Sequence, residues 1–279
     1  MSGPCELTAM NAAWDGDDSP VVGVVDAETD AIDAIEIDTA LESAVADADG
    51  TITSGTLESV LAAEPSVLVT GGEATLSAVA RAGVDIPVVP VGPLTGIESV
   101  DRRRLPAALE AALDGRAVRR ERPVLGVVLE PADGDERHAS TIRERALFDV
   151  TLITDEPARI SEYSLRDRGS DVATFRADGV VAATPAGSHG YASAVDAPQL
   201  SPAVDAVAVA PIGPFVTQTR RWVLPPDALT FAVEREEGDA SLVVDGRSVG
   251  AVTVDSRVSV SSAGSLTMLA VPDVRLESA

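Results

Sequence analysis

The stretch Val67-Leu68-Val69-Thr70-Gly71-Gly72-Glu73-Ala74-Thr75-Leu76 decides how the chain is read. An apolar, β-branched run ends at paired glycines, and a helical pattern follows. Residues 66–70 read as a buried strand, and residues 75–81 as a helix closed by Gly83. Working outward, residues 21–25 and 87–91 are further strand candidates. Residues 56–63 form a helical pattern stopped by Pro65, and residues 105–113 form another before Asp114-Gly115. Strand and helix in alternation argue for a parallel α/β sheet. Glycines let a backbone approach a phosphate closely, and a helix N-terminus favours an anion. The same residues also fit a tight strand-to-helix turn, with Glu73 as an ordinary helix-start carboxylate.

The pattern changes after about residue 121. Short strand candidates follow at 124–129, 148–153, 172–175, 180–183, 206–210, 229–233, 241–244, 248–254 and 258–261. Turn signals punctuate them at Asp133-Gly134, Asp178-Gly179, Glu237-Gly238 and Asp245-Gly246. The one helical candidate here is 140–147. Many short strands with regular turns point to a β-sandwich-like, all-β unit. The expected organisation is therefore a flexible acidic tail over 1–19, an α/β domain over 20–120 that carries the Gly-Gly-Glu loop, and a β-rich domain over 121–279. The last strand is free to return to the first domain.

Composition narrows the function. The chain has 279 residues, 45 Asp+Glu against 21 Lys+Arg, and a formal net charge of −24. Every basic residue is an arginine, so mechanisms that need a lysine are excluded, the P-loop lysine and Schiff bases among them. So negative a chain does not track nucleic acid or an anionic membrane by bulk attraction. The acid excess, the missing lysine and only 3% aromatics point to a cytoplasm of very high salt. One cysteine, Cys5, leaves no disulfide framework within the chain. The N-terminus has neither a basic nor an apolar leader pattern, and no run approaches a membrane span. The expected location is cytoplasmic. His138 has no partner at metal-ligand spacing.

A second motif, Arg176-Ala177-Asp178-Gly179-Val180-Val181-Ala182-Ala183-Thr184-Pro185-Ala186-Gly187-Ser188-His189-Gly190-Tyr191, runs from a carboxylate through an apolar strand into a loop of hydroxyls and small residues. Such a loop suits a nucleobase beside a ribose, and it suits an ordinary surface loop with a half-buried Tyr191 equally. Taken together, in order and over 21–262, the motifs resemble the NAD kinase family. The family's GGDGT loop stands here as Gly71-Gly72-Glu73-Ala74-Thr75. Its ALNEV strand stands as Ala146-Leu147-Phe148-Asp149-Val150. Its ADG and STPTGSTAY signature stands as Ala177-Asp178-Gly179 and 184–191. Its PI-PH stretch keeps Pro211, Ile212 and Pro214, and its VDGQ turn stands as Val244-Asp245-Gly246-Arg247.

The resemblance implies a two-domain fold with the site between an α/β nucleotide-binding domain and a β-rich, NAD-binding domain. It implies phosphoryl transfer from ATP or polyphosphate to the adenosine-ribose 2′-hydroxyl of NAD, with a divalent metal (Mg) on the phosphates. The partners are small-molecule nucleotides, not nucleic acid or membrane, and the assembly is a homo-oligomer, dimer or tetramer. The catalytic position falls on Glu73. Ligand-binding positions fall on Gly71, Gly72, Ala74, Asp149, Arg176, Asp178, Thr184, Ser188, His189, Gly190, Tyr191, Ala194, Asp245 and Arg247. Departures touch the chemistry. Glu73 is a methylene longer than the family's aspartate. Ala74 puts a Cβ where a glycine could take a positive φ. Phe148 replaces an asparagine, His189 a threonine, Gly190 an alanine, Ala194 a serine, Phe215 a histidine and Arg247 a glutamine. The alternatives are a nucleotide-binding paralogue with weak or no turnover, and a kinase for another small hydroxyl substrate.

Overall fold

The computed structural model describes residues 19–26, 34–132, 140–156, 160–216, 220–235 and 239–271. His138 and the turns expected at Asp133-Gly134 and Glu237-Gly238 lie outside them, as does all of the acidic tail but Ser19. The first half runs β1 (Val21–Val25), α1 (Thr39–Ala46), β2 (Thr51–Gly55), α2 (Leu57–Leu61), β3 (Val67–Gly71), α3 (Gly72–Ala82), β4 (Val88–Val91) and α4 (Leu105–Leu113). The second half continues with β5 (Val118–Glu130), β6 (Ile142–Ala146), β7 (Asp149–Thr154), β8 (Ser161–Asp167), β9 (Ser170–Ala177) and β10 (Gly179–Ala183). It ends with α5 (Tyr191–Ala194), β11 (Val207–Ile212), β12 (Trp222–Leu224), β13 (Leu229–Arg235), β14 (Ala240–Val244), β15 (Arg247–Val252) and β16 (Arg257–Ala270).

Strands β2, β1, β3 and β4 are parallel and adjacent in that order. The Val- and Leu-rich content of β1, β3 and β4 follows from burial on both faces, whereas β2 is the edge strand. Leu41, Val45, Leu105 and Leu109 of α1 and α4 cover one face. Val60, Leu76 and Val79 of α2 and α3 cover the other. Strand β16 then carries the sheet onward. Its far end lies parallel to β4 through Met268 and Val88, its near end pairs with β13, and β5 runs antiparallel to it along its whole length. A second sheet, in the order β12-β11-β10-β7-β14-β15, packs on that antiparallel part. Leu125, Leu152, Tyr163, Val180, Phe231 and Val258 meet in the apolar layer between the sheets. The result is a parallel α/β layer that runs into a β-sandwich.

One expected element changes type. Residues 140–147 do not form a helix; Ile142–Ala146 is strand β6, paired antiparallel with β5 from Leu129–Ile142 to Leu125–Ala146. Arg and Glu favour helix, but the open edge of β5 offers a ladder of hydrogen bonds, and tertiary pairing overrides a weak local preference. Arg145 secures the strand by donating to the carbonyls of Ala80 and Ala263, each at 3.0 Å.

Candidate active site

The site lies at the C-terminal end of β3, where open α/β sheets place their ligands. The chain leaves β3 at Gly71 and turns into α3 through Gly72, whose φ of +76° lies in the left-handed region that favours glycine. No side chain caps the helix; Thr75 instead donates to the Gly71 carbonyl at 2.7 Å. Glu73 and Ala74, in the first turn, face a cavity of about 340 Å³ together with Ser77, one turn further on. Ala74 lies within the helix and is not among the residues of positive φ, so the alanine introduces no backbone strain.

The opposite wall is built by β7 and the loop after β10. Thr184 donates through Oγ1 to the Leu147 carbonyl at 2.6 Å, and its N–H donates to Phe148 O at 2.9 Å. A Cβ on Gly187 would strike the Phe148 carbonyl oxygen, so only glycine allows this approach. The loop thereby brings Ala186, Gly187, Gly190 and Tyr191 to the cavity beside Phe148 and Asp149. The Tyr191 ring is 44% exposed and stands at the rim.

Asp245 joins the two walls. With Gly246 it forms a two-residue turn between β14 and β15, both at positive φ, +47° and +75°, the signature of a type I′ hairpin. Its Oδ2 accepts from the Ser77 hydroxyl at 2.6 Å and from Leu147 N–H at 2.9 Å. Its Oδ1 accepts from Phe148 N–H at 2.8 Å and Asp149 N–H at 3.0 Å. Four protein donors fill this carboxylate, so its work is to tie α3 to the start of β7. Asp149 consequently sits beside another carboxylate. Burial, then Asp245, then Glu73 push its pKa up to about 6, against an opposing 3.1 Å hydrogen bond from Thr151 Oγ1.

Of the residues singled out in the sequence, the cavity gathers Glu73, Ala74, Asp149, Gly190, Tyr191 and Asp245. Gly71 and Gly72 are buried beneath it. Thr184 and Ser188 are fully buried and organise the loop; Ser188 Oγ accepts from Leu200 N–H at 3.0 Å. His189 lines a separate cavity behind the loop. Ala194 is exposed at the end of α5, and Arg247 makes an ion pair with Glu144 at 2.7 Å. Arg176 and Asp178 lie toward the other end of the second sheet, because β10 pairs Gly179 with Ile153 there and Ala183 with Asp149 here. Arg176 stacks on the exposed Phe215 ring at 5.5 Å. Asp178 Oδ1 is buried without a hydrogen-bond partner. Sequence reasoning missed Ser77 and Thr95. The first is signalled by its i+4 spacing from Glu73, the second by its place in the loop after a parallel strand.

Fold and site together define the class: a parallel α/β layer continued into a β-sandwich, with an acidic cavity where they meet. Residues 147–270 match the family described as ATP-NAD kinase C-terminal domain. The NAD kinase of Acidobacterium capsulatum is 33% identical over 197 residues, 69% of this chain and 67% of that protein. Those of Methanosarcina barkeri and Methanosarcina mazei are 33% and 34% identical over stretches that span only 42% and 36% of their own lengths. Two solved structures share the fold: yeast NADH kinase complexed with NADH (TM-score 0.72, 18% identity, 91% of this chain and 84% of that one) and an NAD kinase from Archaeoglobus fulgidus in complex with ATP (0.67, 19%, 90% and 92%). The chain belongs to the NAD kinase family.

Proposed function

We propose that the protein transfers the terminal phosphoryl group of ATP, or of polyphosphate, to the adenosine-ribose 2′-hydroxyl of NAD, giving NADP. The carrying observation is that Glu73, in the first turn of α3, and Asp149, at the start of β7, face one cavity whose walls Asp245 locks together. Phosphoryl transfer asks little covalent chemistry of a protein; positioning and electrostatics carry most of it. Glu73 accepts the hydroxyl proton, the oxygen attacks the terminal phosphorus, and the bond to the leaving phosphate breaks. Tyr191, at the rim of the cavity, supplies a ring for the base. Burial first, and then the carboxylates of Asp245 and Glu73, push the Asp149 carboxyl up to about 6; the same group of carboxylates draws a cation.

Among the described residues, no group of three or more His, Cys, Asp or Glu is arranged to hold a metal ion. Two separate carboxylates, Glu73 and Asp149, still fit a magnesium ion carried mainly by substrate phosphates. Bound there, the ion would neutralise charge on the transferred group. The same reading places the protein in a salty cytoplasm as a homo-oligomer; no helix among the described residues is long and apolar enough to cross a membrane. The test is incubation with NAD, magnesium and either ATP or polyphosphate in molar KCl, with chromatographic detection of NADP. NADP from at least one donor supports the proposal. NAD binding without NADP from either donor overturns it in favour of a binding-only paralogue.

A further inference from the structure

A second cavity, of about 540 Å³, lies behind the loop that carries Gly190 and Tyr191. Thr95 faces the first cavity and the next residue, Gly96, faces the second, so the two are neighbours that share a wall. That wall is tight. A Cβ on Gly96 would come within 2.7 Å of the Ala186 carbonyl and 2.8 Å of the His189 ring. The lining of the second cavity is unlike the rest of this acidic chain: Arg119, Arg120 and Arg122 of β5 and His189 line it, with Glu98 and Glu121.

The two glutamates are already engaged. Glu98 lies 3.5 Å from Arg120 Nε, and Glu121 accepts from Ser265 and Thr267 at 2.6 and 2.9 Å. Arg122 is different. It is only 5% exposed, and its Nε is buried with no hydrogen-bond partner. Burial pulls its pKa down, the nearby Arg120 pulls it further, and Glu98 alone opposes. A buried guanidinium with an unfilled donor, next to a second guanidinium, is costly unless an anion completes it. Arg120 and Arg122 alternate onto the same face of β5, about 7 Å apart along the strand. Guanidinium forks match the oxygens of phosphate in paired hydrogen bonds.

We propose that this cavity is an oxyanion site for a phosphate or diphosphate group, with Arg122 as its buried donor and Arg120 as its second arm. The site does not depend on kinase turnover. The diphosphate has two possible sources, a free inorganic anion or the phosphates of a nucleotide, and the experiment separates them.

Calorimetry on the full chain, at one fixed salt concentration, measures binding of inorganic pyrophosphate and of ADP. Compared with wild type are Arg122→Met, Arg120→Gln and, as a control at a distant exposed ion pair, Arg168→Gln. Pyrophosphate is expected to bind wild type and the control equally. Affinity should fall about tenfold or more in Arg122→Met and severalfold in Arg120→Gln. If only ADP loses affinity in these variants, the source is a nucleotide, and the site stands. If Arg122→Met does not fold, Arg120→Gln, at a partly exposed position, decides. Pyrophosphate and ADP affinities in both arginine variants equal to wild type overturn the proposal, as does binding of neither probe to wild type. Absence of NADP formation alongside arginine-dependent pyrophosphate binding would refute the kinase and leave this site intact.

Discussion

Replacing Asp245 by asparagine tests the joint that holds the site together. The carboxylate accepts four hydrogen bonds, three from the consecutive N–H groups of residues 147, 148 and 149 and one from Ser77. Asparagine keeps one oxygen and turns an NH2 group toward the other two donors. With the oxygen on Phe148 and Asp149, Ser77 can rotate to accept, but the N–H of the fully buried Leu147 loses its acceptor. An orphaned buried N–H costs about 1–3 kcal/mol, and the remaining bonds lose their charge assistance at about 1 kcal/mol each. With two bonds left on the oxygen, Asp245→Asn should therefore destabilise the fold by about 3–5 kcal/mol, read by guanidinium unfolding in molar KCl. A second readout follows from the lost charge. Asp149, held at about 6 in part by Asp245, should titrate lower in the variant, as followed by carboxyl carbon NMR. A stability change below about 0.5 kcal/mol together with an unmoved Asp149 would refute the reasoning.

Three further outcomes are expected. Asp149→Asn should stabilise the protein at pH 8 by roughly 1–3 kcal/mol and leave it least changed below about pH 4. The sign follows from a folded pKa raised from 3.8 to about 6: the protonated carboxyl's contribution is intact at low pH and is lost as pH rises through that value. Unfolding curves across pH check it, and an unchanged difference between pH 4 and 8 contradicts it. Tyr191→Ala should weaken NAD binding about tenfold or more by calorimetry, since stacking on a base is worth about 1–3 kcal/mol; equal affinities would remove the ring from the site. The melting temperature should climb with KCl concentration, because a net charge of −24 repels itself until screened. A flat midpoint between low and molar salt contradicts that.

The fold was legible where burial leaves a strong signature. β3 is buried along its length, so Val67, Leu68 and Val69 announce it in the sequence. β2, Thr51–Gly55, escaped notice because it is an edge strand of Thr and Ser with no buried position. β8 hid for another reason. Only Ser161, Tyr163, Ser164 and Leu165 of Ser161–Asp167 are buried, and serine carries no apolar signal. The motif order located Glu73, Asp149, Tyr191 and Asp245, which strand pairing then drew to one cavity. It also grouped Arg176 and Asp178 with Tyr191, since all lie within sixteen residues of chain. Five residues of β10 carry the backbone roughly 15 Å, so chain neighbours end at opposite ends of a sheet. The double role of Asp245, turn residue and acceptor for four donors, depends on contacts across more than 90 residues and has no local signal.

The most direct measurement compares NADP formation by wild type, Glu73→Gln and the double variant Glu73→Asp with Ala74→Gly, each with its NAD affinity measured separately. A positioned general base contributes about 10²–10⁴-fold, and glutamine cannot accept the proton. Glu73→Gln should therefore lose turnover by that order with NAD affinity little changed. The double variant, with the carboxylate one methylene shorter, should turn over faster than wild type. Full turnover by Glu73→Gln would contradict the account and leave Glu73 a helix-start residue.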